Sequence, residues 1–272
     1  MFYLYLVLSA ALIPVLNNFF EILRQPYSWW LVPVLFIAFF FGFVILHLIV
    51  TCIWIATANV NKPPRGTKAF RVLANITIPM LLKLARVSVK TEGAEKIPEG
   101  ARMLFVCNHQ HDLDPVMLLS AFPSAEIGFI GKKDIYKDMP FIANAMHRLY
   151  CLPIDRENDR AAAKTIIEAS RLLKSGKVSV GLFPEGYTSK TCELLPFRNG
   201  AFKVAYRAEA PIAVCVINNT RSIPKELFWR RTEIKLNVLE VIPYENYKDM
   251  HTVELGDKIH DMMLSELEKL RA

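Results

Sequence analysis

The apolar positions change their spacing twice along this chain. From Trp29 to Ala58 there is no Asp, Glu, Lys or Arg, and Phe, Ile, Leu and Val dominate. A helix of that length, at ~1.5 Å per residue, exceeds the ~30 Å hydrocarbon layer of a bilayer. Trp29 and Trp30 sit at one end, the depth that indoles favour. Met1 to Phe20 is also uncharged, but Pro14 and Asn17-Asn18 interrupt it. It lacks the basic start and the cleavage site of a signal peptide, so it reads as an anchor. Asn75 to Leu84 reads as a further apolar helix on or near the bilayer. His47, within the long segment, is either a functional intramembrane group or a contact to the partner helix.

Beyond Arg86 the period alternates between two and 3.6. Strands are predicted over Arg86–Thr91, Met103–Cys107, Glu126–Gly131, Leu149–Ile154, Val178–Phe183, Ile212–Ile217 and Ile234–Val241. One helix begins at Pro115 with Asp114 as its N-cap. Others cover Asp159–Lys174, where Ala162, Ile166, Ala169 and Leu173 share a face, and Ala201–Ala208. Ile259, Met262, Met263, Leu267 and Leu270 mark a closing helix. The interleaving predicts an α/β fold, a mainly parallel sheet flanked by helices, preceded by an N-terminal helical membrane anchor. The division is an anchor of two hydrophobic helices over 1–61, a basic collar and interfacial helix over 62–86, and an α/β body over 87–272.

Charge sharpens this. Of 272 residues 53% are hydrophobic, yet the net charge is +7. Glu21 and Arg24 are the only charged side chains before residue 62, so the excess belongs to the body. Lys62, Arg65, Lys68 and Arg71 form the collar, and positive residues favour the cytosolic side. The body is therefore expected on the cytoplasmic face. Two crossings would put both termini there; a helix pair that enters and leaves one leaflet is the other arrangement. A basic body behind an apolar front suits an anionic membrane or a phosphorylated substrate, and no nucleic-acid module is visible. Five scattered cysteines (Cys52, Cys107, Cys151, Cys192, Cys215) read as reduced thiols.

The densest chemistry lies in Phe105-Val-Cys-Asn-His-Gln-His-Asp-Leu-Asp-Pro-Val-Met-Leu-Leu119, on a strand-to-helix turn. There Asp114 can reach back to His109. A carboxylate on one ring nitrogen fixes the tautomer and leaves the other free to take a proton from a hydroxyl. Taken alone, the turn could also be solvated, and His109-x-His111 could be half of a zinc site, although further ligands do not recur nearby. Three more blocks follow: Cys151-Leu-Pro-Ile-Asp-Arg156, Gly181-Leu-Phe-Pro-Glu-Gly-Tyr-Thr-Ser189 and Ala210-Pro-Ile-Ala-Val214. Together they resemble the glycerophospholipid acyltransferase family, whose first block is Asn-His-x4-Asp, matched by Asn108, His109 and Asp114.

The resemblance spans roughly Val87 to Pro243 and implies an O-acyltransferase. In it His109, oriented by Asp114, activates the free hydroxyl of a lysophospholipid, most simply lysophosphatidic acid. Acyl-CoA or acyl carrier protein serves as co-substrate, with no cofactor and no metal. Asn108, Arg156, Glu185, Gly186 and Ser189 are the implied substrate-binding residues. Tyr187 and Thr188 replace the family's usual Thr-Arg, removing a cation that Lys190 or Arg198 would supply. A different lysolipid head group, or a non-catalytic membrane lipid-binding protein, are the other readings. Neither a Gly-x-Ser-x-Gly elbow nor a phosphate-cradling Gly-Lys-Ser/Thr loop is present.

Overall fold

The computed structural model describes residues 2–20, 30–62, 64, 66–226 and 229–271. Glu21, Arg24, Trp29 and Arg65 lie outside the described residues. The chain divides into two units, one up to Thr57 and one from Ala58 onward.

The first unit is a pair of helices, α1 (Phe2–Phe20) and α2 (Leu31–Ala56). Helix α1 continues through Pro14, which the sequence suggested would interrupt it. Proline removes a single backbone donor, and the remaining apolar turns keep their bonds. Among the described residues α2 alone is long and apolar enough to cross a membrane; the apolar part of α1, Tyr3–Asn18, is shorter. His47 lies against Tyr5 of α1, with ring centroids 6.1 Å apart.

The second unit starts with α3 (Lys68–Leu84). It begins about two turns before the expected Asn75, because Thr67 caps it, its Oγ1 accepting from the Phe70 N–H at 3.1 Å. Arg71 is corrected by this register. It leaves the collar and is buried, donating to the carbonyls of Ile127 (2.9 Å), Leu149 (3.2 Å) and Glu126 (3.3 Å). The segment before α3 is tied down as well: His147 Nε2 bonds the Lys62 carbonyl at 2.9 Å, and the Tyr150 hydroxyl donates to that of Gly66.

Then follow β1 (Val87–Glu92), β2 (Leu104–Cys107), α4 (Asp114–Ala121), β3 (Ile127–Lys132), α5 (Lys133–Asp138) and α6 (Pro140–Arg148). The chain continues with β4 (Leu152–Ile154), α7 (Asp159–Lys174), β5 (Ser179–Leu182), α8 (Lys203–Ala208) and β6 (Ile212–Asn218). It ends with α9 (Ile223–Glu226), β7 (Thr232–Ile242) and α10 (Thr252–Arg271). Seven strands form one sheet in the order β1-β7-β6-β2-β5-β3-β4, parallel except where β7 meets β6. The expected strand at Leu149 begins three residues later. Tyr150 turns into the left-handed region (φ 62°), and the Cys151 N–H reaches back to the Met146 carbonyl at 2.9 Å, closing α6.

Strand β2 runs through the middle of the sheet with all four residues fully buried, which is why its sequence is continuously apolar. Leu104 and Val106 face one layer, where Ile166 and Leu173 of α7, Val204 of α8 and Ile259 and Met263 of α10 pack with Val180 and Val214. Phe105 faces the other layer and meets Phe122 just beyond α4, ring centroids 5.4 Å apart. Each such side chain contributes about 1.5–3 kcal/mol by leaving water. The result is a rigid floor from which the polar turn after Cys107 emerges.

Candidate active site

The turn is anchored before its chemistry begins. Asn108 continues β2 with a side chain instead of a backbone: its Nδ2 donates to the Ile217 carbonyl at 2.9 Å and its Oδ1 accepts the Ile217 N–H at 2.8 Å. Expected among the substrate contacts, Asn108 has both amide atoms committed to the neighbouring strand. Next, His109 Nδ1 lies 2.8 Å from Asp114 Oδ2. A carboxylate can only accept, so Nδ1 carries the proton and Nε2 presents its lone pair. The same Oδ2 accepts the backbone N–H groups of Gln110 (2.7 Å) and His111 (2.8 Å). Asp114 is fully buried, whereas the His109 side chain keeps 13% exposure, enough for a reactant to reach it. Leu113, not Asp114, holds the N-cap position; Asp114 is the first helical residue, and its carboxylate folds back over the turn.

The loop after β5 clamps this histidine. Phe183 stacks on the imidazole, with centroids 4.2 Å apart and planes 19° from parallel. Glu185 Oε1 accepts the His109 N–H at 2.6 Å, and Ser189 N–H donates to the His109 carbonyl at 2.8 Å. Glu185 Oε2 accepts the Leu195 N–H at 2.9 Å. Glu185 is thus turned inward and positions the turn from behind, rather than reaching toward the acceptor. The Ser189 hydroxyl is buried without a hydrogen-bond partner among the described residues. The His111 ring, by contrast, accepts the Leu113 N–H on Nδ1.

Burial pushes the Glu185 carboxyl up to about 7, opposed by the N–H groups of Leu195 and His109 and by the imidazole. Between its ordinary value and about 7 the folded protein holds a proton that the unfolded chain releases. Wild-type stability should therefore fall as pH rises through that window, by about 1.4 kcal/mol per pH unit, and level off above it. Glu185→Gln cannot ionise and should lack this slope. The wild-type Tm minus the variant Tm should shrink from acid to neutral pH; a constant difference would show that Glu185 titrates normally.

Two guanidiniums converge on Tyr187, two residues further along the loop. Arg156, just past β4, lies over the Tyr187 ring at 5.4 Å, and Arg198 lies over the same ring at 5.2 Å. Arg198 also donates to the Tyr187 hydroxyl (3.2 Å) and to the Arg156 carbonyl (3.4 Å). Gly186 makes room for this with φ 76°; a Cβ there would stand 2.9 Å from Arg198 Nε. Burial and then the Arg198 charge hold the Arg156 guanidinium below its usual value, with Tyr187 and Asp134 offsetting. Among the described residues no ion pair joins either arginine to a carboxylate. Lys190, the other candidate cation, is exposed, and its carbonyl accepts from Arg221.

Two participants carried no assigned role in the sequence. Phe183 sits inside a quoted block, so its stacking was within reach. Arg221 lies beyond every block; its Nη1 holds the Ser189 carbonyl at 2.9 Å. Burial pushes the Cys151 thiol up to about 11 and the Cys215 thiol up to about 12, away from the thiolate form. Among the described residues no three His, Cys, Asp or Glu side chains cluster as metal ligands would.

Residues 88–218 match the family model described as Acyltransferase. The chain is 27% identical over 232 residues to a putative 1-acyl-sn-glycerol-3-phosphate acyltransferase of Caenorhabditis elegans, covering 84% of this chain and 79% of that one. It is 30% identical over 188 residues to the 1-acyl-sn-glycerol-3-phosphate acyltransferase of Saccharomyces cerevisiae, covering 68% of this chain and 61% of the yeast protein. The crystal structure of the 1-acyl-sn-glycerophosphate acyltransferase of Thermotoga maritima shares the fold, with a TM-score of 0.62 at 23% identity over 75% of this chain and 81% of that one.

Proposed function

Given that this chain belongs to the acyltransferase family, we propose that it moves an acyl chain from a thioester, acyl-CoA or acyl carrier protein, to the free hydroxyl of lysophosphatidic acid. His109 Nε2 removes the hydroxyl proton as the oxygen attacks the thioester carbonyl. Asp114 steadies the imidazolium that results. The tetrahedral intermediate collapses, the C–S bond breaks, and the departing sulfur takes the proton back from His109. Phosphatidic acid and a free thiol leave. Proton and electron pairs balance without a metal or a redox partner.

The observation that supports this acceptor is the pair Arg156 and Arg198, two cations in no ion pair among the described residues, both over Tyr187 of the loop that grips His109. Like charges side by side are costly unless an anion joins them, and a phosphomonoester carries up to two negative charges. Arg198→Ala should raise the acceptor KM roughly tenfold or more, since a charge-assisted hydrogen bond contributes about 1.5–3 kcal/mol. Lys190→Ala should change it little, and neither should alter the thioester KM. The deciding assay is transfer from a labelled thioester to a panel of lysolipids. A preference for a zwitterionic head group, with Arg198→Ala silent, would discard the phosphomonoester; transfer to none would leave a lipid-binding protein.

The helix α2 is taken to hold the enzyme in the bilayer, with the second unit on the cytoplasmic face, supported by Lys62 and Lys68 just after it. In sealed right-side-out cells, external protease should spare everything beyond residue 62. Cleavage there would reverse the orientation.

A further inference from the structure

A second basic site lies away from the histidine, on the far side of the sheet order from the arginine pair. Between α3, α4 and the edge strand β1 there is a cleft of about 630 Å3. Lys83, Arg86 and Arg231 line it, with the hydroxyls of Ser88, Thr91 and Ser120, and none of its lining residues is acidic. The remaining lining is apolar, including Pro79 and Leu82.

The two arginines are held in place. Arg86 takes the left-handed conformation (φ 59°), which a non-glycine residue adopts only when its surroundings impose it. Its carbonyl accepts the Thr232 N–H at 3.0 Å, and its Nη1 donates to the Trp229 carbonyl at 3.3 Å. Arg231 Nε donates to the Ser88 hydroxyl at 3.4 Å. Trp229, tied to Arg86 in this way, leaves its indole 86% exposed, the most exposed large apolar side chain of the described residues. Leu81 and Leu84, beside the lining residues of α3, are exposed as well. An exposed indole next to anchored arginines is the combination that settles at a lipid headgroup layer. A soluble anion would need the cations but give no use to the indole or the leucines.

We propose that this cleft binds the headgroup of an anionic diacyl phospholipid, its phosphate between Lys83, Arg86 and Arg231, with Trp229 seated in the interface beside it. The lipid is a ligand and not a reactant, and the assignment does not depend on which acceptor the histidine serves. The site would fix how the body meets an acidic membrane surface.

The test uses the full-length protein in detergent, with native mass spectrometry counting retained dioleoyl phosphatidylserine against dioleoyl phosphatidylcholine. That lipid has no free hydroxyl and so cannot act as acceptor. Wild type should retain phosphatidylserine in preference. The triple variant Lys83→Gln, Arg86→Gln, Arg231→Gln should bind it about 10²-fold more weakly, at several-fold per cation. Arg156→Gln with Arg198→Gln should leave it unchanged. Equal retention by the triple variant, loss in the Arg156/Arg198 variant alone, or displacement of the lipid by an equal concentration of inorganic phosphate would each overturn the proposal. Should the triple variant fail to fold, Trp229→Ala decides, because that side chain is exposed: several-fold weaker retention supports the site, and unchanged retention removes it.

Discussion

His109→Ala should lower turnover by roughly 10²–10⁴-fold, the scale for losing a general base. The geometry makes the histidine hard to replace. Its ring is held by Asp114 at Nδ1 and by Phe183 against its face, and its backbone by the Glu185 carboxylate, which accepts its N–H, and the Ser189 N–H, which donates to its carbonyl. Only Nε2 is left for the reaction. His111→Ala is the matched control. It removes one acceptor from the Leu113 N–H and nothing from the reacting side, so turnover should stay within a few-fold of wild type. Single-turnover transfer from a thioester compares the two directly. Near-normal rates in His109→Ala with a collapse in His111→Ala would move the base to the wrong histidine and undo the mechanism.

Asp114→Asn should cost about 10- to 10²-fold in turnover while leaving the protein folded. Three N–H groups share Asp114 Oδ2, and an amide oxygen can still accept them. What disappears is the charge. A hydrogen bond to a charged group is worth about 1.5–3 kcal/mol, and each 1.36 kcal/mol is tenfold in rate. The new NH2 would occupy the place of Oδ1, buried without a partner, so a modest drop in Tm accompanies the change. Asp114→Ala differs in kind, because it strands the buried N–H groups of Gln110 and His111 at about 1–3 kcal/mol each. The pair separates two roles: Asn should lose rate more than stability, and Ala should lose both. Equal rates for Asn and wild type would mean the carboxylate only shapes the turn.

What could be read from the chain follows from distance along it. The His109–Asp114 pair spans one turn, and local geometry alone brings the groups together. Strand β2 was legible for a similar reason, since a short run buried on both faces leaves no polar position to confuse its period. Glu185 is different. Its residue type and neighbours mark it, but that both oxygens face backbone donors depends on how β5 lies against β2. The same holds for Arg198, one of two cations named for the phosphate; only the fold sets it over Tyr187 and leaves Lys190 exposed. Helices α5 and α6 escaped because they are short and half polar, and Arg71 was misjudged because a lone arginine in a basic stretch gives no hint that three carbonyls await it.

The bond from Asn108 to Ile217 has a consequence in time as well as in space. The two residues are 109 positions apart, and Glu185 is 76 positions from the histidine it holds. Contacts so distant must overcome loop-closure entropy before they return any stability, so they form late in folding. Helix α7, by contrast, needs only its own sixteen residues. During synthesis, then, a growing chain carries its helices and its histidine well before it can act. Until Ile217 has emerged and β6 has paired, the amide of Asn108 has nothing to grip, and the turn beyond it stays without a fixed shape.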